Sequence, residues 1–527
     1  MKTPAWIFLS FIIGCLFIFS ANTEKNTLTE TSYQLQKDSF DMLETVKKWQ
    51  ETMPKPSDQF RPGHSTPRQI DNYLEKRDNG FVIQLPSKSL TPSPTIYKGL
   101  LLVSGGFGSK EYYAFDAQTG ALKWAVDLDD DGPTSAIVEE DIAVFNTESC
   151  TIFACNVMTG EPLWSHYLGD PLMGTPSISD GIVYTAYPAR STFQYGNYMD
   201  LQNNQIQQQN ALGDLQIAQS DTADLKIGLQ ATHVMIALEL KTGKILWQKW
   251  IDGDVMSAPV VEGADLFVTT FPGTLYKFDA KSGDILAAQA SRATSAPVIV
   301  GDDIYMSQRS DDGSSEVREN LSALNRNLTM VKKAYSRDAP YLDQEIQSKS
   351  QLKSSAVEYD AGNGFTAGAP ANSGWQQASY NIGQSNVSSL QAFQGSRVFH
   401  HEGRNYATMG DTLLCTHPET SEVYWRKNLK GDLQKEGGTL ATPPFMVDNK
   451  IIVASLEGDI ILFNAKSGKE WKRFKTNEKI RYQPVVEDGR IYVSTVSGKV
   501  MCIDTGKNQL TGWPTWGANA AHTNKVE

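Results

Sequence analysis

The sequence of 527 residues predicts an all-β fold, an eight-bladed β-propeller of four-stranded antiparallel blades, with an N-terminal apolar segment and a short helix in front. Three observations carry this prediction. Gly120, Gly160, Gly243 and Gly283 close equivalent turns in "DAQTG", "NVMTG", "ELKTG" and "DAKSG", at separations of 40, 83 and 40 residues. Trp124, Trp164 and Trp247 each follow their glycine by four positions, and Ala287 takes that place in the fourth turn. Upstream of the turns stand paired strand-like words around an acidic or glycine bend, such as "TSAIVEEDIAVFNTES", "GTPSISDGIVYTAYP" and "SAPVVEGADLFVTTFPG". Four short strands in every ~40–45 residues is the period of a propeller blade.

Each part of the repeat has a physical task. The Asp, Asn or Glu that opens the turn can accept backbone N–H groups, and the glycine supplies positive φ. The alanines at 114, 154 and 237 are small enough for close sheet packing. The tryptophan offers a large apolar wedge between blades, with an N–H that needs a partner. First strands are expected to begin near Ser93, Thr134, Thr175, Ser257, Ser295, Ser396, Thr442 and Tyr482. The fifth repeat lacks the Thr-Gly turn after Ala323-Leu-Asn325, the sixth keeps Trp425, and the seventh brings Trp471 one place closer to Gly468. The eighth stops at Asp504-Thr-Gly506 with no fourth strand. "GFVIQLPS" (residues 80–87) can supply it, closing the ring and removing an edge.

The organisation that follows is a propeller over 80–516, with insertions at 189–232 and 338–394, and a tail over 517–527. Residues 22–79 read as a spacer, with a helix predicted over 35–53, as a spacer or packing helix, from apolar residues at 35, 40, 43, 46, 49 and 53. An apolar run from Ala5 to Ala21 after Met1-Lys2 is long for a signal-peptide core and short for a spanning helix. Export to the periplasm or cell envelope is expected. Cleavage near Ala21, lipidation at Cys15 of "IIGC" and a retained membrane anchor stay open. A net charge of −12 argues against nucleic acid as a partner. Among five cysteines, Cys150 and Cys155 either pair or serve as small buried strand residues.

"AFDAQTGALKW" and its companions resemble the tryptophan-docking repeats of the quinoprotein-like propeller superfamily. That superfamily includes pyrroloquinoline-quinone dehydrogenases and the propeller lipoprotein that assists outer-membrane protein assembly. "FNTESC", "GDPLM" and "TGWPTWGANAAHT" are similar to envelope proteins with quinone-binding-like propeller repeats. The resemblance implies an exported propeller and brings no reaction with it. The dehydrogenases use a stacked quinone, Ca²⁺ on oxygen ligands and a carboxylate base, often beside a vicinal disulfide. This chain has no Cys-Cys pair and no Cys-x-x-Cys-His haem site. No catalytic residue, no metal and no cofactor are expected. Pyrroloquinoline quinone with calcium belongs to the alternative reading.

Other motifs read as structural. His400 and His401 alternate across a strand and face opposite ways. "DLDDDGP" (127–133) lacks the spacing of an EF-hand loop. "SGGFGS" (104–109) leads into a strand rather than a helix, which excludes a phosphate loop.

Topology locates a ligand better than any motif. The start of a first strand and the end of a second share one face, the top, where both insertions emerge. Candidates at its mouth are Glu148, Asp170, Tyr187, Arg190, Asp254, Arg292, Gln308, Arg309, Arg397 and Arg481. Five arginines in an acidic chain suit an anionic ligand or a peptide carboxylate. The leading expectation is a non-catalytic exported propeller binding an envelope protein or small anionic ligand on the top face. The alternatives are a periplasmic quinone-dependent oxidoreductase and a scaffold in outer-membrane protein assembly.

Overall fold

A computed structural model describes residues 42–51, 60–61, 65–147, 151–168, 174–188, 231, 233–253, 255–271, 273–291, 293–311, 317–338, 396–433, 439–507, 510, 515 and 517–518. They form eight antiparallel sheets, one per blade. Blade 1 runs Thr95–Tyr97, Leu100–Ser104, Glu111–Asp116 and Leu122–Leu128. Second and third strands are buried on both faces, because each blade is sandwiched between two others. Leu100–Ser104 and Ile142–Asn146 are therefore buried at every position rather than at alternate ones. Blade 5, the least regular in sequence, has the longest strands, three of nine residues each in Asp303–Asp311, Val317–Asn325 and Met330–Asp338.

The repeat motif locks each blade to the next. Asp116 Oδ1 accepts from the backbone N–H groups of Gln118 and Thr119, and Gly120 turns the chain at a φ of 71°. In blade 4, hydrogen bonds from Ser282 hold the Asp279 carboxyl below the usual carboxylate range. A Cβ at Gly160 would lie 2.7 Å from the Trp124 ring, so blade 1's tryptophan lies flat on blade 2's glycine. Trp164 lies in the same way on Gly243, Trp247 on Gly283 and Trp425 on Gly468. The four indole N–H groups donate to Val157, Leu240, Ala280 and Ala465, three residues before those glycines.

A β-bulge precedes the wedge and explains Trp471. Ala114 pairs with Trp124 but Phe115 pairs with Leu122, leaving residue 123 as the extra one. The equivalent residues Leu163, Leu246, Leu286, Tyr424 and Trp471 are all exposed. In blade 7 the wedge register falls on Lys472, opposite Leu462, so Trp471 stands outside the ring. Lys472 Nζ donates to Thr505 O at 3.3 Å, the blade 8 counterpart of the carbonyls that the indoles reach.

The described parts of the segment ahead of the ring form an outer strap. Helix α1 (Met42–Gln50) packs Met42 and Val46 beside Trp247 and Ile285 of blades 3 and 4. Gln50 fixes its end, donating to Trp250 O at 3.1 Å and accepting from Trp250 N at 2.8 Å. Residues 35–41 and 52–53 of the predicted helix lie outside the described residues. Strand β1 (Phe60–Arg61) adds to the edge of blade 2, and β2 (Ser65–Pro67) to that of blade 1. Strands β3 (Leu74–Arg77) and β4 (Gly80–Gln84) then complete blade 8, with β4 pairing Lys499–Asp504 as its fourth strand. Phe81 and Leu74 lie against Gly120, filling the place a tryptophan holds elsewhere. The strap thus visits blades 3 and 4, then 2, 1 and 8, against the order of the blades.

Candidate functional site

The top face is built from the links between blades. Pro133 bridges Thr147, Val255 bridges Thr270, Ala293 bridges Gln308 and Ala441 bridges Ser455. Three bridges join a link to the residue just past a second strand, and the Gln308 bridge meets blade 5's longer second strand within its length; the Thr-Gly turns lie at the opposite end of the strands. Small polar residues at first-strand starts close the ring. Ser135 Oγ donates to Ser93 O at 2.8 Å, Ser93 Oγ to Gln483 O at 2.7 Å, and Gln483 Nε2 to Pro443 O at 3.1 Å. These bonds join blades 2, 1, 8 and 7 around the axis.

The described top-face candidates have partners within the scaffold. Tyr187 is buried, its hydroxyl accepts from Gln248 Nε2 at 2.7 Å, and burial pushes its pKa up to about 12. Gln308 Nε2 donates to Ser291 O at 2.7 Å. Arg397 Nη1 lies 3.6 Å from Glu319 Oε1, and both side chains are largely buried. Arg481 Nη1 donates to Ile480 O at 3.4 Å and Leu456 O at 3.5 Å. Arg309 pairs across strands with Glu319 in backbone register. Its side chain, and Glu148, Asp170, Arg190, Asp254 and Arg292, lie outside the described residues. The structure therefore pairs one candidate arginine, Arg397, with an acid, Glu319. The sequence gives little sign of it, because Glu319 reaches the top face only through blade 5's long second hairpin.

A second polar cluster was not anticipated. Strap residue Arg68 reaches Glu111 Oε1 at 3.0 Å and Asp127 Oδ1 at 2.8 Å on blade 1. Burial raises the Glu111 pKa, against the lowering by Arg68, and Asp127 adds to the rise. Buried Asp252 accepts from Thr270 Oγ1 at 2.8 Å and from Thr274 Oγ1 at 2.5 Å, and burial raises its pKa too. Both clusters tie links or the strap to blades.

His400 stacks on Tyr305 at 5.3 Å and bonds Asn405, whereas His401 is exposed beside Glu402. Asp127, Asp130 and Asp131 of the acidic loop meet Arg68, Thr147 and Lys110. Cys155, Cys415 and Cys502 are buried free thiols, and Cys150 lies outside the described residues. Among the described residues, no group of three or more His, Cys, Asp or Glu side chains could hold a metal ion.

Fold and interlock together define an eight-bladed, tryptophan-docked propeller of the quinoprotein-like class. Within it, the chain belongs to the outer membrane protein assembly factor BamB family, whose model matches residues 49–198, 217–329 and 367–480. It is 24% identical over 238 residues to outer membrane protein assembly factor BamB of Yersinia pestis. That match spans 41% of this chain and 58% of the relative, less than two thirds of its length. BamB from Moraxella catarrhalis is 12% identical, with a TM-score of 0.45 over 84% of this chain and 97% of that one. Sqt1 of Saccharomyces cerevisiae is 8% identical, with a TM-score of 0.50 over 81% of this chain and 99% of that one, a likeness of fold alone. Among the described residues, no helix is long and apolar enough to cross a membrane.

Proposed function

We propose that the chain is an exported, non-catalytic propeller that holds a protein partner during outer-membrane protein assembly in the cell envelope. The family match is the observation that carries this reading. It raises the scaffold alternative above the quinone-dependent oxidoreductase. The chemistry of the top face supports it. Tyr187, Gln308, Arg397 and Arg481 are engaged with the scaffold, and Glu319 offsets positive charge that a small anion would need. Surface loops and open blade edges are then the elements left to meet a partner.

Two measurements test the reading. Depleting the protein in its own host is expected to lower the amount of folded β-barrel protein in the outer membrane, and unchanged levels count against it. Purified full chain is also titrated with pyrroloquinoline quinone and Ca²⁺, followed by dye reduction with alcohols and sugars. No turnover is expected, and substrate-dependent reduction would overturn the non-catalytic reading.

A further inference from the structure

We propose that the bare outer edges of blades 6 and 7 take an extended acidic polypeptide segment by antiparallel strand addition. The inference rests on the reading of the chain as a partner-binding propeller and names the chemistry of the partner and its place of docking. Among the described residues, Val423–Asn428 and Glu470–Lys475 are fourth strands with no fifth neighbour. An edge of this kind presents backbone N–H and C=O groups that can pair with another chain. The protein already fills three such edges this way, with β1 on blade 2, β2 on blade 1 and β3 on blade 8.

Charge selects the occupant. The two bare strands carry Arg426, Lys427, Lys472, Arg473 and Lys475 against the single acid Glu470, in a chain of net charge −12; Lys472 is held on Thr505 O and Arg473 pairs with Glu470 and Asp459, so Arg426, Lys427 and Lys475 carry the selection. The capped strands differ. Leu122–Leu128 holds one lysine and one aspartate, and Pro162–Tyr167 holds no Lys, Arg, Asp or Glu. Lysine on an edge also deters aggregation, which is the plain alternative. The aromatic residues exceed what that alternative requires. Tyr424 is 40% exposed with the Arg404 guanidinium 4.2 Å from its ring centre. Trp471 is 38% exposed between Lys450 and Lys507, at 5.4 and 5.2 Å. Exposed rings flanked by cations offer apolar contact and attraction to carboxylates at once, a composition suited to a partner surface. The unpaired backbone favours a peptide over a lipid surface, which would leave the ladder groups unused.

The test uses the full chain and a fluorescent peptide of alternating glutamate and valine. Saturable binding is expected, about ten-fold tighter than for the same peptide with lysine in place of glutamate. A version N-methylated at alternate residues keeps its charge but loses ladder donors, and is expected to bind about ten-fold more weakly. The pair Arg426→Glu and Lys475→Glu is expected to weaken binding by about ten-fold, the pair Arg426→Lys and Lys475→Arg to retain it, and Lys123→Glu on capped blade 1 to leave it unchanged. Equal binding of the N-methylated peptide overturns strand addition. Failure of the acidic peptide to bind, with capture only by phosphatidylglycerol vesicles, replaces the peptide with a lipid surface and overturns the proposal. Failure to bind, with outer-membrane assembly still dependent on the protein, removes the edge site and leaves the proposed function standing.

Discussion

The outer strands of blades 8, 1 and 2 are paired with strap strands, and those of blades 3 and 4 lie under helix α1. The outer strands of blades 5, 6 and 7 have no such cover among the described residues. The fourth strands paired by the strap on blades 8, 1 and 2 carry no net charge, and the bare strands of blades 6 and 7 are basic. Position in the ring therefore governs composition. A strand that will be paired can be apolar, whereas a strand left open carries charge that turns away chains without the complementary charge. The strap also spans the ring's closure, so on the covered arc stability and topology are the same question.

The largest effects are expected at that closure. Strand β4 buries Phe81, Val82 and Ile83 in the seam between blade 8 and its neighbours. Deleting Gly80–Gln84 is expected to abolish cooperative unfolding, and Phe81→Ala to cost about 3–5 kcal/mol by denaturant titration. Phe474, on the bare edge of blade 7, is only partly buried, so Phe474→Ala should cost less than half as much. Equal losses at the two phenylalanines would remove the distinction between the arcs.

The two kinds of tryptophan make a finer test. Trp124 is buried, lies on Gly160 and donates to Val157 O at 2.9 Å. Trp124→Ala is expected to cost about 3–5 kcal/mol. Trp471→Ala loses cation–π contacts worth about 0.5–1 kcal/mol at an exposed site. Chemical denaturation of both variants at one pH measures the gap. A Trp471→Ala loss as large as that of Trp124→Ala would show that Trp471 belongs to the interlock after all.

The ring was legible because its signal is local and repeated. Gly120, Gly160, Gly243 and Gly283 each need positive φ and lie beneath another residue's ring, so the same five-residue word had to recur. The closing strand at 80–84 was legible because it is an apolar strand-like word standing alone. The rest of the strap was not. "FR" and "STP" form strands of two and three residues, too short for a period of two to show, and their pairing is supplied by blade edges far along the chain. The same holds for the site. Arg397 and Arg481 could be placed on the top face by topology, but Glu319 meets Arg397 only after blade 5's long strands are built. The shift of Trp471, visible in the sequence, has a consequence that only the register shows. Its spacing from Gly468 places it on the extra residue of a bulge, and one residue there exchanges wedge for solvent.

The smallest expected effect at neutral pH, and one that separates the arcs by acid response, lies in the buried histidines. Burial pushes the His233 imidazole of blade 3 down to about 3. Burial also lowers His166 of blade 2, opposed by its hydrogen bond to Gly243 O at 2.6 Å. An unfolded chain protonates histidine near ~6.5. Between that pH and the lowered folded value, the unfolded chain holds a proton that the folded chain does not. Stability is then full above ~6.5 and falls as pH drops through the window. His233→Gln removes one such group, so its midpoint should change less between neutral and mildly acidic pH than that of the native chain. His400, on blade 6, is also lowered by burial but remains partly exposed, and its Nδ1 bonds Asn405. His400→Gln should therefore flatten the pH response less than His233→Gln. Thermal unfolding of the three proteins across that window decides the point, and equal slopes would place the acid sensitivity elsewhere in the ring.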